Sequence, residues 1–505
     1  MSAASESRPL DELERLRRRN EKLSSLLQVA TALTREHQLE AVLDLILAES
    51  VKTVDADRGS LFIVDRSRTE LLSKIALGER ATIRMPIGRG IAGTVARTGI
   101  ALNIPDAYAD SRFNPEVDKL TGYRTSSILC VPMLGSKQEV VGVVQALNHR
   151  DGPFSSEDEE LLMALGASAA AAIENANLYE DIERLFEGFV QASITAIESR
   201  DPTTAGHSGR VADLSVTLMN SLERSSGPYR GLTFSPLEVR ELRYAALLHD
   251  FGKVGVREHV LLKANKLYPH ELERLEQRFE QARRALEVEL LRAELDVLRR
   301  EPGRGPKDAE ALAAELQRRQ AELEGFLEFV RRCNRPTVLE EGGFERLQEV
   351  AEHTFTDSAG CAHALLTPGE LSSLSIARGS LNAEERREIE SHVVHTFNFL
   401  NAIPWTRELA RVPHIAHGHH EKLNGRGYPR AVPAPEIPVQ TRMMTIADIY
   451  DALTAADRPY KRALPREKAL DILTEESRAG NVDDALLTVF IEARVPERVS
   501  GATSS

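Results

Sequence analysis

Three stretches of this sequence carry residue types that seldom enter apolar segments without a purpose. Leu-Leu-His249-Asp250-Phe-Gly252-Lys253 ends an apolar run on an imidazole and a carboxylate. His419 and His420 stand side by side in His417-Gly-His-His-Glu-Lys-Leu-Asn-Gly-Arg-Gly-Tyr-Pro429. Asp448 and Asp451 follow in Ile446-Ala-Asp-Ile-Tyr-Asp451. Imidazoles and carboxylates in apolar surroundings are costly unless something satisfies them. A metal cluster is the simplest single partner for all of them. Neutral imidazoles with carboxylates make a borderline-hard nitrogen and oxygen site, which suits Fe or Mn and leaves Zn as the other candidate. Ions of this kind can lower the pKa of a bound water and offset negative charge on a reacting group.

Stepping N-terminally from these residues, the helix Glu238–His249 turns Leu242, Ala245, Ala246 and Leu248 inward and ends on His249-Asp250. Gly425 and Gly427 permit a tight lip after the paired histidines, and Tyr428-Pro429 fixes its shape. The segment 263–376 interrupts the pattern. Leu272, Leu275, Phe279, Ala282 and Leu286 form one apolar stripe, and Leu312, Leu316, Leu323, Phe326 and Val330 form a second. With Glu301-Pro-Gly-Arg-Gly-Pro306 between them, they predict an antiparallel helical hairpin. This insertion is read as dimer contact, as cover for the site, or as structural filling.

The first part of the chain has a different texture. A helix over Leu39–Val54 precedes a strand in Gly59-Ser-Leu-Phe-Ile-Val-Asp65. Ser127–Met133 and Glu139–Leu147 have the β-branched density of central strands. Pro86-Ile-Gly-Arg-Gly-Ile-Ala-Gly, Asn103-Ile-Pro-Asp106, Ile128–Met133 and Val141–Asn148 together resemble a GAF domain, a small-molecule sensing module with an α+β fold, over residues 21–175. The resemblance implies a small-molecule ligand. Asn148-His149 with Phe154 and Asp158 lacks the Lys of the cyclic-nucleotide motif, and is read as closing a strand–turn–helix junction. Cys130 falls in a buried strand, which argues against an attached bilin.

Residues 1–20 are read as a disordered start running into a coiled-coil helix, in which Leu13, Leu16, Asn20, Leu23, Leu27 and Ala30 alternate in steps of three and four. A connecting helix over 176–199 continues from the sensor, with Leu165, Ala172, Tyr179 and Phe186 recurring every seven residues and Ile182 and Phe189 on the same side. The two helices predict a homodimer.

The later blocks, taken together, resemble an HD-GYP phosphodiesterase over about 190–263 and 377–490 of a region spanning 200–505. The resemblance rests on His249-Asp250-Phe-Gly252-Lys253, on the run His419 to Pro429, and on Ile446–Thr454 with Asp457-Arg-Pro-Tyr-Lys461. It implies an all-α HD-type domain, and His207, His249, Asp250, His392, His419, His420 and Asp448 as ligands of two divalent ions, with Asp250 bridging. It gives Lys253 a phosphate oxygen or the leaving group. Arg458 and Lys461 receive the substrate's phosphates, and Gly425, Gly427, Tyr428 and Pro429 form the substrate lip. Asp451 is read as a cap or salt-bridge partner, and Glu421 as support for the ligands. His414 and His417 are read as structural. Thr203 stands where some relatives carry a third-metal carboxylate, which favours two metals. The implied reaction is hydrolysis of cyclic di-GMP to pGpG and onward to GMP. The alternatives are a non-catalytic dinucleotide receptor and a hydrolase of another cyclic dinucleotide such as cyclic GMP-AMP.

Whole-chain properties bound these readings. A chain of 505 residues calls for two or three domains. A net charge of −13 argues against a nucleic-acid polymer or an acidic membrane as partner. Three dispersed cysteines suit a reducing compartment. With no leader, and with the small-residue run Ala164–Ala176 too short to span a bilayer, a cytoplasmic location is expected.

Overall fold

The computed structural model describes residues 24, 27–33, 36, 38–65, 67–76, 84–201, 205–300, 306–336, 338, 342–455 and 463–502. The readings that fall on residues 1–20, Thr203, Arg458 and Lys461 lie outside the described residues. The chain divides into two compact units, 1–188 and 189–505.

In the first unit six strands form one antiparallel sheet in the order β3-β2-β1-β6-β5-β4. The strands are β1 (Ala56–Val64), β2 (Glu70–Ala76), β3 (Arg84–Pro86), β4 (Leu102–Ile104), β5 (Ile128–Leu134) and β6 (Val140–His149). Alternation sorts the side chains onto two faces. Leu61, Leu129, Val131 and Val144 pack under the helix Leu39–Thr53 and the start of the helix Ser156–Arg200. Phe62, Ile128, Cys130 and Val143 face the helix Gly90–Thr98 through Ile91 and Val95. The Asn148 side chain does not close the turn into the helix Ser156–Arg200; it ties the end of β6 to the segment leading into β5. Its Oδ1 accepts from the Ser126 and Ser127 amides at 2.6 and 3.2 Å, and its Nδ2 donates to the Arg124 carbonyl at 2.8 Å. Burial pushes the Cys130 thiol up, so it stays protonated.

The helix Ser156–Arg200 runs through the boundary between the units. Its connecting stripe differs from expectation: Leu165 and Ala172 are buried in the sheet's own core. Farther along, Tyr179 and Ile182 of the same stripe are 45 and 62% exposed, beside Leu178 and Leu185 at 59 and 75%. By length and composition this helix could also cross a membrane, although half of its apolar window is buried within the protein.

The second unit is helical. The helix Pro236–Leu248 starts on a capping box between Ser235 and Glu238 with Pro236 in its first turn. It packs with the helices His207–Ser221 and Val439–Thr454. The insertion forms the expected hairpin, Pro269–Arg300 against Pro306–Cys333, closed by Leu275, Phe279 and Ala282 on Phe326 and Val330. It carries more than the hairpin. The helices Gly343–Glu352 and Pro368–Leu374 flank a two-stranded ribbon, β7 (Thr354–Thr356) and β8 (Ala362–Ala364), and both helices, with Phe355 of β7, join the hairpin's core.

Candidate metal centre

Five segments far apart in sequence bring the expected ligands together. His207 opens the helix His207–Ser221, and His249 caps the helix Pro236–Leu248. Asp250 begins the tight turn Phe251–Gly255, and His392 opens the helix His392–Asn401. His419 and His420 follow the helix Val412–His417, and Asp448 lies within Val439–Thr454. The insertion leaves this assembly intact: His392 Nε2 lies 3.3 Å from Asp250 Oδ1.

The glycine of His-Asp-x-Gly has a definite task. A Cβ on Gly252 would overlap the His392 carbonyl and the Thr396 amide. The turn can therefore lie flat on the His392 helix only with glycine there. Thr396 Oγ1 ties the two together, accepting from the Gly252 amide at 2.8 Å and donating to the His249 carbonyl at 2.9 Å. Phe251 stacks on Phe399 beside this contact.

Three imidazoles are oriented in one way. Nδ1 of His249, His392 and His419 donates to the carbonyl three residues earlier, in Ala246, Ile389 and Ala416, at 2.7, 2.6 and 2.7 Å. Each Nε2 therefore presents a lone pair. These three Nε2 atoms are buried with no hydrogen-bond partner. Two of them look toward carboxylates, which are also acceptors. Asp250 Oδ2 lies 3.5 Å from His249 Nε2 and 3.9 Å from His207 Nε2, while its Oδ1 is turned to His392. Asp448 Oδ1 lies 3.2 Å from His207 Nε2 and 3.9 Å from His249 Nε2. Donor atoms of His207, His249 and Asp250 gather within 4.8 Å of one another, and those of His392, His419 and His420 do the same. Asp250 thus offers one oxygen to the first group and the other to the second. Lone pairs aimed at one another across a buried space are repulsive unless cations stand between them. The residues present fit two divalent metal ions.

The electrostatics agree for three imidazoles and differ at His207, which carries a proton between Asp448 and Asp451 until a cation displaces it. Burial lowers the pKa of His249, His419 and His420, the last to about 4, so all three stay neutral. Burial opposes charge on His207 too, but the Asp448 and Asp451 carboxylates overcome it and raise its pKa to about 9. Burial also opposes charge on Asp250, and Lys253, His249 and His392 outweigh it, holding the carboxyl well below its usual range. Lys253 Nζ sits 2.9 Å from Asp250 Oδ2 and 3.2 Å from Asp201 Oδ2. Burial works against its charge, and these two carboxylates raise its pKa. Asp201 was missed as a site residue; its only sequence signal is its place at the head of the His207 block.

The lip lies against the second group. Tyr428 is 4.7 Å from His420, centroid to centroid, and its amide donates to the His420 carbonyl at 3.2 Å. Gly425 has φ +72°, and a Cβ on Gly427 would overlap the backbone of Glu421 and Lys422. The Tyr428–Pro429 peptide is cis. Glu421 does not support the ligands as expected. It accepts from the Arg430 and Val432 amides at 2.8 and 3.2 Å, so it anchors the lip. His417 stacks on Phe397, in keeping with a structural role.

Comparison with known proteins matches this division. Residues 38–173 match the GAF domain family, and 204–328 and 351–486 match two HD domain families. The first HD match holds His207, His249 and Asp250, and the second holds His392, His419, His420 and Asp448. The chain is a GAF domain followed by an HD-domain region. It is similar to a probable 3′,5′-cyclic phosphodiesterase pde-5 of Caenorhabditis elegans, 39% identical over 32% of this chain and 24% of the relative. It is similar also to a dual 3′,5′-cyclic-AMP and -GMP phosphodiesterase 11A of Takifugu rubripes, 41% identical over 25% of this chain and 16% of the relative. The chain thus spans a quarter or less of the length of these curated relatives. Among solved structures, the GAF domain of an Acinetobacter phosphoenolpyruvate-protein phosphotransferase is 21% identical over 32% of this chain and 96% of its own, with a TM-score of 0.28.

Proposed function

We propose that the helical unit is an HD-GYP phosphodiesterase that hydrolyses cyclic di-GMP to pGpG and onward to GMP, under control of a small-molecule ligand of the GAF domain. One observation supports it above the rest: buried, unprotonated Nε2 atoms on both sides of Asp250 face its carboxylate with no donor between them. Two divalent ions, Fe or Mn, held by His207, His249, Asp250 and Asp448 on one side and by His392, His419, His420 and Asp250 on the other, would activate water and neutralise the phosphate. The remaining work falls to the chain's own groups. The Lys253 ammonium, held at the edge of Asp250, is placed to meet a phosphate oxygen and to protonate the departing 3′-oxygen as its bond to phosphorus breaks. Tyr428 and the lip beside His420 would hold a guanine or ribose face. Arg458 and Lys461 are assigned the distal phosphates by resemblance to the family. The exposed Leu178, Ile182 and Leu185 support pairing of two chains, and the cysteine pattern supports a reducing, cytoplasmic setting.

The names of the curated relatives favour a second reading, in which a 3′,5′-cyclic mononucleotide is the substrate. One experiment separates the two. Protein loaded anaerobically with Fe or Mn is incubated with cyclic di-GMP, cyclic GMP and cyclic AMP, and the products are resolved by chromatography beside an Asp250→Ala control. Linear pGpG or GMP arising from cyclic di-GMP in the wild type alone is the expected result. Turnover of a mononucleotide with cyclic di-GMP untouched would replace the first reading by the second.

A further inference from the structure

His207 differs from the other three oriented histidines in how it is held. It is the first residue of its helix, behind Gly206 at φ +67°, and its Nδ1 turns to a side chain rather than to a carbonyl of the preceding turn. Asp451 Oδ2 accepts from His207 Nδ1 at 2.7 Å, and Asp451 is itself gripped by Arg210, whose Nε and Nη2 donate to Oδ1 and Oδ2 at 2.7 and 3.1 Å. The spacing on both helices makes this possible. His207 and Arg210 lie three residues apart on one face, and Asp448 and Asp451 lie three apart on the facing helix. One helix thus meets the imidazole at both nitrogens, with Asp448 at Nε2 and Asp451 at Nδ1. Asp451 is 3% exposed, so its charge relies on these partners.

We infer that the Arg210–Asp451 pair is a positioning device for His207 that sets the metal affinity of one position, that of His207, His249, Asp250 and Asp448, and leaves the other alone. The inference rests on the dinuclear reading of the site. In the position formed by His392, His419 and His420, the imidazoles of His392 and His419 are oriented by backbone carbonyls, which no side-chain substitution removes. The position formed by His207 depends on a carboxylate and a guanidinium that single substitutions reach. A partner of this kind on a ligating histidine typically contributes about 10- to 100-fold in metal affinity.

The test titrates Mn2+ alone into the full-length protein. Metal per chain is measured after equilibrium dialysis, and the coupling between ions by electron paramagnetic resonance. The wild type is expected to bind two Mn2+ with the signal of an exchange-coupled pair. Asp451→Asn should weaken one of the two by about 10- to 100-fold and leave the six-line signal of an isolated ion at limiting metal. Arg210→Gln, a change on a partly exposed side chain, should give the same signature to a smaller extent if Asp451→Asn folds poorly. Adding His392→Ala to Asp451→Asn should remove the remaining ion. Two tightly bound, coupled ions in both folded variants would overturn the positioning role while leaving the dinuclear site standing. Fewer than two ions in the wild type would overturn the dinuclear reading and the inference with it.

Discussion

A buried carboxylate of the first unit and those at the centre of the second are surrounded in opposite ways. In the GAF domain Asp118 is met by donors: the Thr125 amide at 2.7 Å, the Thr125 hydroxyl at 2.8 Å and the Tyr108 hydroxyl at 3.1 Å. In the HD region Asp250 and Asp448 are surrounded largely by imidazoles, with Lys253 the close donor to Asp250. A buried carboxylate among donors is complete and holds a loop in place. One that faces imidazole lone pairs is incomplete and marks a site for a cation. The GAF core is thus built for packing, whereas the HD centre gives up pairing for chemistry.

Breaking the centre at the shared carboxylate should have the largest effect. Asp250→Ala is expected to abolish turnover and to reduce bound metal from two ions to none, with far-UV circular dichroism unchanged. A variant that keeps one ion would show that Asp250 serves a single position. The same severity applied to the GAF core should leave the metal in place. Leu129→Ala, at a fully buried strand position, should cost about 2–5 kcal/mol in denaturant unfolding of the first unit. Its metal content should stay at the wild-type value, and loss of metal there would contradict the division of labour.

Gly252→Ala should cost about 1–3 kcal/mol or more, because the added Cβ must push the His-Asp turn off the His392 helix. Metal binding should weaken with it. Gly209→Ala is the matched control two residues beyond His207. Nothing lies near its Cβ position, so it should be neutral or stabilise by about 0.4–1 kcal/mol. Among these changes the smallest effect on fold is expected from Ile182→Ser on the exposed stripe. Light scattering should show a shift from dimer toward monomer, with the melting temperature of the GAF unit little changed.

Much of this centre was legible because metal chemistry restricts residue types. His249, Asp250, His419, His420 and Asp448 stood out as polar groups in apolar segments, while His207 and His392 came from the family resemblance; the structure brings all seven together. The alternating strands of the sheet were readable for a similar reason, since a sheet covered on both faces demands β-branched density. What escaped notice depends on tertiary approach. Gly252 is needed only because the His392 helix lies against it, across a long insertion. Arg210 became relevant only when its helix met Asp451, although its place three residues after His207 was a usable signal. Glu421 was misplaced because a carboxylate beside two histidines suggests ligand support, while its oxygens turn back to the Arg430 and Val432 amides. The connecting stripe could not show where burial stops, because Leu165 and Ala172 lie under the sheet while Tyr179 and Ile182 continue past it into solvent.

The most direct test of the central claim is anomalous diffraction from crystals of the Mn-loaded protein, recorded on both sides of the Mn absorption edge. The account predicts two peaks, one among His207, His249 and Asp448 and one among His392, His419 and His420, with Asp250 between them and touching both. A single peak, or two peaks with Asp250 bound to only one, would contradict it.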